Sequence, residues 1–185
     1  MSKAPDWVQR AREAWVWRGK ERPPFAAPPG PGQESVWDYP RPPILVSDPR
    51  RVRIELGDVV VADSSAALRL LETSHPPTFY VPRADIDQRC LVGATSGSFC
   101  EWKGTATYFD VAAGQRVVRR AAWAYPTPID EAFSALADHV AFYATDLCCF
   151  VGDERVRPQA GGFYGGWVTG ELVGTFKGDP GTGGW

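Results

Sequence analysis

The side chains in this sequence that could carry chemistry are mostly aromatic, and Trp102, Tyr108, Trp123 and Tyr125 head them. If residues 99–109 and 116–125 are strands joined by the loop Val111-Ala112-Ala113-Gly114, then Trp102 faces Trp123 and Cys100 faces Tyr125. Alternation along the strands puts Cys100, Trp102, Gly104, Ala106 and Tyr108 on one face with Val117, Ala121, Trp123 and Tyr125. Gly104 and Ala106 leave room beside large rings, which is how a sheet makes a hollow for a flat ligand or a cation. The competing expectation is ordinary core, with Phe133 and Leu136 of a following helix filling that room.

Charged groups would surround such a hollow. Lys103, Glu72 and Arg83 are candidate rim groups that select ligand charge, although Lys103 faces away from the aromatic wall unless a bulge at Gly104 re-aims it. Cys100 as a nucleophile would need a depressed pKa and a base in reach. His75 precedes Pro76-Pro77 in a loop and His139 flanks the apolar face of a helix, so spacing puts neither beside Cys100. Thiol redox or group-transfer chemistry at Cys100 or Lys103 is therefore the enzyme alternative. The chain has no C-x-x-C or H-E-x-x-H, and Gly161 to Gly166 lacks the G-K-[ST] ending of a phosphate loop, so no metal or cofactor site is expected. Cys90, Cys100, Cys148 and Cys149 are too sparse for a disulfide framework and read as reduced thiols. The pattern Trp-x-Tyr-Pro-x-Pro occurs at 37–42 and again at 123–128, which reads as chance in a chain with 17 prolines.

These side chains need elements to hold them, and the pattern is mainly β (α+β). Val52, Ile54 and Leu56 alternate with charged residues, and Gly57-Asp58 suits a two-residue II′ turn into Val59 to Ala62. Leu147 to Val151 repeats the pattern with Gly152-Asp153 and Glu154 to Val156. Thr78 to Val81 reads as a strand stopped by Pro82, while residues 66–72 suit helix and strand equally. The main helix is expected from Thr127 as N-cap, with Pro128 at its first position and Ile129, Phe133, Leu136, Val140 and Ala144 on one face. Residues 1–50 read as a Pro-rich aromatic arm holding one helix over Trp7 to Trp17, ordered if its tryptophans dock. Residues 51–160 form the core, and 161–185 form a Gly-rich tail too aromatic for a plain linker.

Composition excludes some partners. A chain of 185 residues with 44% hydrophobic residues suffices for one domain, and a net charge of −2 without long runs of one sign argues against binding duplex nucleic acid. Polar residues after Met1 and the lack of a long apolar stretch argue for a cytoplasmic protein without membrane contact. Arm and tail could dock on a partner or pair two copies as a homodimer, which is a third reading beside ligand binding and catalysis.

Val60-Val61-Ala62-Asp63-Ser64, Ala67 to Glu72, Pro76-Pro77 with Phe79 to Arg83, Cys100-Glu101-Trp102-Lys103-Gly104, Trp123-Ala124-Tyr125-Pro126 and Phe142-Tyr143 follow one another in a specific order and spacing. Together these segments resemble domain-of-unknown-function family 427 of the β-tent group. The arm and tail resemble extensions of longer, mostly bacterial members. The resemblance implies two antiparallel sheets meeting at an angle, as in the cereblon ligand-binding domain, methionine sulfoxide reductase B and Yippee proteins. Several of those relatives hold the fold with cysteine-bound zinc, a pattern missing here. The tryptophan cage of the cereblon relative implies a similar role for Trp102 and Trp123, with a small organic, cationic or nucleobase-like ligand. The nucleotidyltransferase-like label attached to the family finds no paired metal-binding carboxylates in this sequence.

Overall fold

Hairpin turns set the registers of this fold, and glycine opens three of them because the first central residue needs a positive φ. Gly57 has φ 63° and Gly152 has φ 59°, as the sequence predicts; Gly114 has φ 58° and makes a third such turn. The computed structural model describes residues 6–183. Residues 1–5 of the arm and 184–185 of the tail, with Trp185 and the polar start, lie outside the described residues. In chain order the elements are α1 (Asp6–Ala14), β1 (Glu34–Ser35), β2 (Ile44–Asp48), β3 (Val52–Leu56), β4 (Val59–Ser64) and β5 (Ala67–Leu71). Next come β6 (Thr78–Pro82), β7 (Leu91–Cys100), β8 (Gly104–Ala113), β9 (Arg116–Ala124) and β10 (His139–Phe142). The chain ends with β11 (Cys148–Val151), β12 (Glu154–Arg155), β13 (Arg157–Pro158), β14 (Trp167–Val168) and β15 (Leu172–Val173).

The protein is mostly β. Seven antiparallel strands run in the order β2-β5-β6-β10-β9-β8-β7, and four run β12-β11-β3-β4. Val52, Ile54 and Val61 of the smaller sheet pack with Phe79, Val81, Ala122, Val140 and Phe142 of the larger in one core. The residues between them in sequence, Tyr80, Trp123 and Ala141, belong to a separate cluster on the opposite face of the larger sheet. Its central strands are thus buried on both sides, so β6, β10 and the second half of β9, Ala121 to Ala124, are buried without alternation.

The structure corrects several expectations. Residues 66–72, left open between helix and strand, contain β5. The expected strand 99–109 is broken by the turn Glu101-Trp102-Lys103, with Cys100 opposite Gly104 across it. The loop after β8 is the two-residue Gly114-Gln115, since Ala113 pairs with Arg116. The main helix is a 3-10 helix, Glu131–Asp138, capped by the Asp130 carboxylate, which accepts from the Ala132 N–H at 3.0 Å. Residues 139–142 leave it to form β10 between β6 and β9, where both backbone edges are paired. Ladder bonds on two sides outweigh the apolar spacing that suggested a longer helix.

Arm and tail are bound into this frame. The arm helix is α1, shorter than expected, and β2 pairs along β5 at the sheet edge. β1 lies parallel to β15, so arm and tail pair with each other. Trp37 is fully buried and its indole N–H donates to the Thr175 carbonyl at 3.2 Å. In the tail, Trp167 stacks on Phe79 at 5.1 Å and donates to the Phe142 carbonyl at 2.8 Å. No helix among the described residues is long and apolar enough to cross a membrane.

Candidate functional site

On the face of the large sheet turned away from the smaller one, β6, β8 and β9 present Tyr80, Tyr108 and Trp123 side by side. Tyr108 stands opposite Trp123 across the β8–β9 ladder; Trp102, expected there, sits in the β7–β8 turn and joins the same cluster from its end. The rings pack edge to face or tilted: Tyr80 lies 6.4 Å from Trp123 and 6.5 Å from Tyr125, and Trp123 lies 4.4 Å from Tyr143. Phe133 and Leu136 are buried in this cluster, yet they leave a cavity of about 320 Å³ against the rings.

Of the residues singled out from the sequence, Trp102, Lys103, Tyr108, Trp123, Tyr125, Cys100 and Glu72 line this cavity. Arg83 does not; it lies beside β6 with its guanidinium 5.1 Å from the Phe109 ring. Val117, expected on the aromatic face, is 55% exposed because it pairs with Ala112 at the turn end of the hairpin, beyond the ring cluster. Ala121 packs in the core shared with the smaller sheet. The cavity also draws in residues that strand arithmetic passes over, notably Arg41, His75, Tyr80, Tyr143, Tyr164 and Lys177. Tyr80 was within reach of the alternation rule on β6. Lys177 had no local signal, since its place depends on the route of the tail.

The β7–β8 turn explains how Lys103 comes inside. Gly104 has φ 90°, and a Cβ there would stand 2.7 Å from Cγ2 of Ile129, so only glycine suits the position. The Ile129 N–H donates to the Lys103 carbonyl at 3.3 Å. From the other side, Arg12 of α1 donates to the Glu101 carbonyl at 3.0 Å and lies 4.5 Å from the Trp102 ring. Held from both sides, the turn aims Lys103 inward; it is 5% exposed and its ammonium lies 5.3 Å from the Tyr125 ring.

Charge in the cavity is unevenly shared. Arg41 bonds Glu72 through one guanidinium nitrogen and Glu101 through the other, with side-chain exposures of 7%, 15% and 19% for the three. Its guanidinium also lies 5.4 Å from the Trp102 ring. Lys177 reaches in from the tail, its ammonium 5.0 Å from the Trp15 ring and 5.8 Å from that of Tyr164. Neither Lys103 nor Lys177 forms an ion pair among the described residues. Burial alone would raise the Glu72 carboxyl, but His75, Lys103, Arg41 and Lys177 hold it below the usual carboxylate range. Burial lowers the His75 imidazole and the Lys177 ammonium. For Lys103, burial pulls downward and Tyr80, Cys100 and Glu72 more than offset it. Tyr80, however, is pushed up to about 12 by burial and carries no charge at neutral pH, which leaves Glu72, shared with the cations Arg41 and Lys177, as the compensating carboxylate.

The tail covers the aromatic wall. A Cβ on Gly165 would stand 2.0 Å from Cη2 of the Trp123 ring, so the backbone lies directly on the indole. A second recess of about 470 Å³ adjoins Tyr108 and Tyr143, but Arg119, Arg120, Thr145, Asp146, Gly161, Gly162 and Phe163 around it are exposed, which makes it a surface groove.

A family model described as a domain of unknown function (DUF427) matches residues 44–153. The chain belongs to that family. A search of curated proteins finds no match. The DUF427 span supplies the aromatic wall with Glu72, Cys100 and Lys103, while Arg41, Tyr164, Gly165 and Lys177 come from the segments flanking it. The cavity of this DUF427 chain is therefore built jointly by core and extensions.

Proposed function

We propose that the protein is a small-ligand-binding module whose ligand is a flat ring received between Trp102, Tyr108, Trp123 and Tyr125. The observation that carries this reading is the unfilled volume against those rings, about 320 Å³, beside a helix that packs there and does not close it. That volume falls at the lower end of the range for small-molecule pockets, roughly 300–1,000 Å³. Aromatic faces offer a flat ligand stacking and edge contacts, and the polar groups at the rim fix its orientation. The arm, residues 1–50, and the tail, residues 161–185, act in this reading as extensions that complete the pocket and are not strips for a second copy. Their pairing through β1 and β15 supports this.

The test is a thermal-shift and tryptophan-fluorescence screen of the full chain against nucleobases and small heteroaromatic amides and acids. At least one ring compound should raise the melting temperature, and Trp123→Ala should remain folded and lose the shift. A wild-type protein that no ring compound stabilises, or shifts that survive Trp123→Ala, would sink the reading. Thiol chemistry is the second reading, favoured by Cys100 and Lys103 lining one cavity. It requires Cys100 to be alkylated near neutral pH much faster than an ordinary thiol of pKa ~8.5.

A further inference from the structure

We infer that the cavity selects an anionic ring, an aromatic or heteroaromatic acid whose carboxylate or phosphate is received by Lys103 and Lys177. This rests on the binding role proposed above and names the class of ligand. Three permanently cationic side chains line the cavity, Arg41, Lys103 and Lys177, against two carboxylates, Glu72 and Glu101. Both carboxylates are already bonded by Arg41, one to each terminal nitrogen. The lysines are left over. Lys103 is 95% removed from solvent, with the face of Tyr125 and the Cys100 thiol for neighbours and no carboxylate in contact.

A buried ammonium whose nearest partner is a thiol and which touches no carboxylate is costly to keep. Proteins keep such a group where something else supplies the counter-charge. An oxyanion does so, and a lysine receives it as a compact three-donor cation. A second buried donor points the same way: the indole N–H of Trp102, also in the lining, has no acceptor among the described residues. A ligand bearing acceptors would satisfy both groups, and a purely apolar or cationic ring would satisfy neither. The cationic ligand that an aromatic hollow suggests is thus disfavoured by the lysines inside it. Since Lys103 lies in the DUF427 span and Lys177 outside it, the common core provides one cation and the tail of this chain adds the other.

The experiment compares matched probes on the full chain by calorimetry: benzoate and nicotinate, their neutral amides benzamide and nicotinamide, and benzylammonium. The acids should bind at least tenfold more tightly than the amides, and benzylammonium most weakly. Lys103→Met should abolish the preference, and Lys177→Met, at a more exposed position, should reduce it about threefold. Lys103→Met should also melt no lower than wild type without ligand, since it removes a buried charge that no carboxylate touches. If that variant does not fold, the Lys177→Met arm decides alone. Amides binding as well as acids, benzylammonium binding best, or a preference untouched by the substitutions would overturn the anion selection and leave the binding role standing. Failure of every probe, charged or neutral, on wild type would overturn both.

Discussion

The two faces of the seven-stranded sheet are built from the same strands and do opposite work. Toward the smaller sheet, β6, β9 and β10 send Phe79, Val81, Ala122, Ala124, Val140 and Phe142 into an aliphatic core. Toward the other side the same strands send Tyr80, Trp123 and Ala141, and there the packing includes phenols, indoles, charges and empty volume. Dense packing and open packing are thus divided across one layer of backbone, one residue apart along each strand. Burying a face with small branched and aromatic hydrocarbons fills space densely. A face that keeps large rings apart and charges half-neutralised forgoes some stability to hold a hollow.

The sharpest way to break that comparison is a pair of tryptophan deletions. Trp167→Ala removes a stack on Phe79 and a hydrogen bond in the filled core, and should cost about 3–5 kcal/mol in urea unfolding. Trp123→Ala, beside existing empty volume, should cost only the transfer part, about 2 kcal/mol. Equal costs would mean the two faces are packed alike. Next in size on the site face, Arg41→Ala leaves Glu72 and Glu101 unpaired and should cost about 3 kcal/mol, with much of it recovered at low pH where the two carboxyls are neutral. Full loss at low pH would show that Arg41 acts through packing instead. Gly165→Ala should cost about 1–2 kcal/mol and change Trp123 fluorescence, because its Cβ would meet the indole. The smallest effect is titration. Burial lowers His75 and His139, so below their ordinary value of 6.5 the unfolded chain takes up protons that the folded chain refuses. Stability should therefore fall as pH drops from 6.5 toward the folded values, and His75→Asn should flatten that slope. A profile flat between pH 7 and 5 in wild type would contradict it.

Much of the aromatic face was legible in the sequence, for a reason that the wrong register makes plain. Trp123 was expected opposite Trp102 and stands opposite Tyr108, six positions along. An even displacement preserves which side of the sheet each residue faces, so the grouping survived the error. The register itself was within reach, because Gly114-Gln115 obeys the same glycine-first rule that located Gly57-Asp58 and Gly152-Asp153. β10 was not legible: four apolar-rich residues buried on both sides, directly after helical spacing, look like one more turn of helix. Lys103 was read as facing away from the wall because regular alternation does not foresee a three-residue turn. The ion pairs of Arg41 with Glu72 and Glu101, and Lys177 in the same cavity, join residues from distant parts of the chain, and no local pattern announces such a meeting.

The parallel pairing of β1 with β15 also imposes a timetable on synthesis. A nascent chain emerges N-terminus first, so Glu34 and Ser35 wait for Leu172 and Val173, and Trp37 waits for Thr175, 138 residues further along the chain. The central sheet can assemble while the ribosome is still working. The recess is completed only once the segment carrying Tyr164, Gly165 and Lys177 has followed, which ties its appearance to the tail.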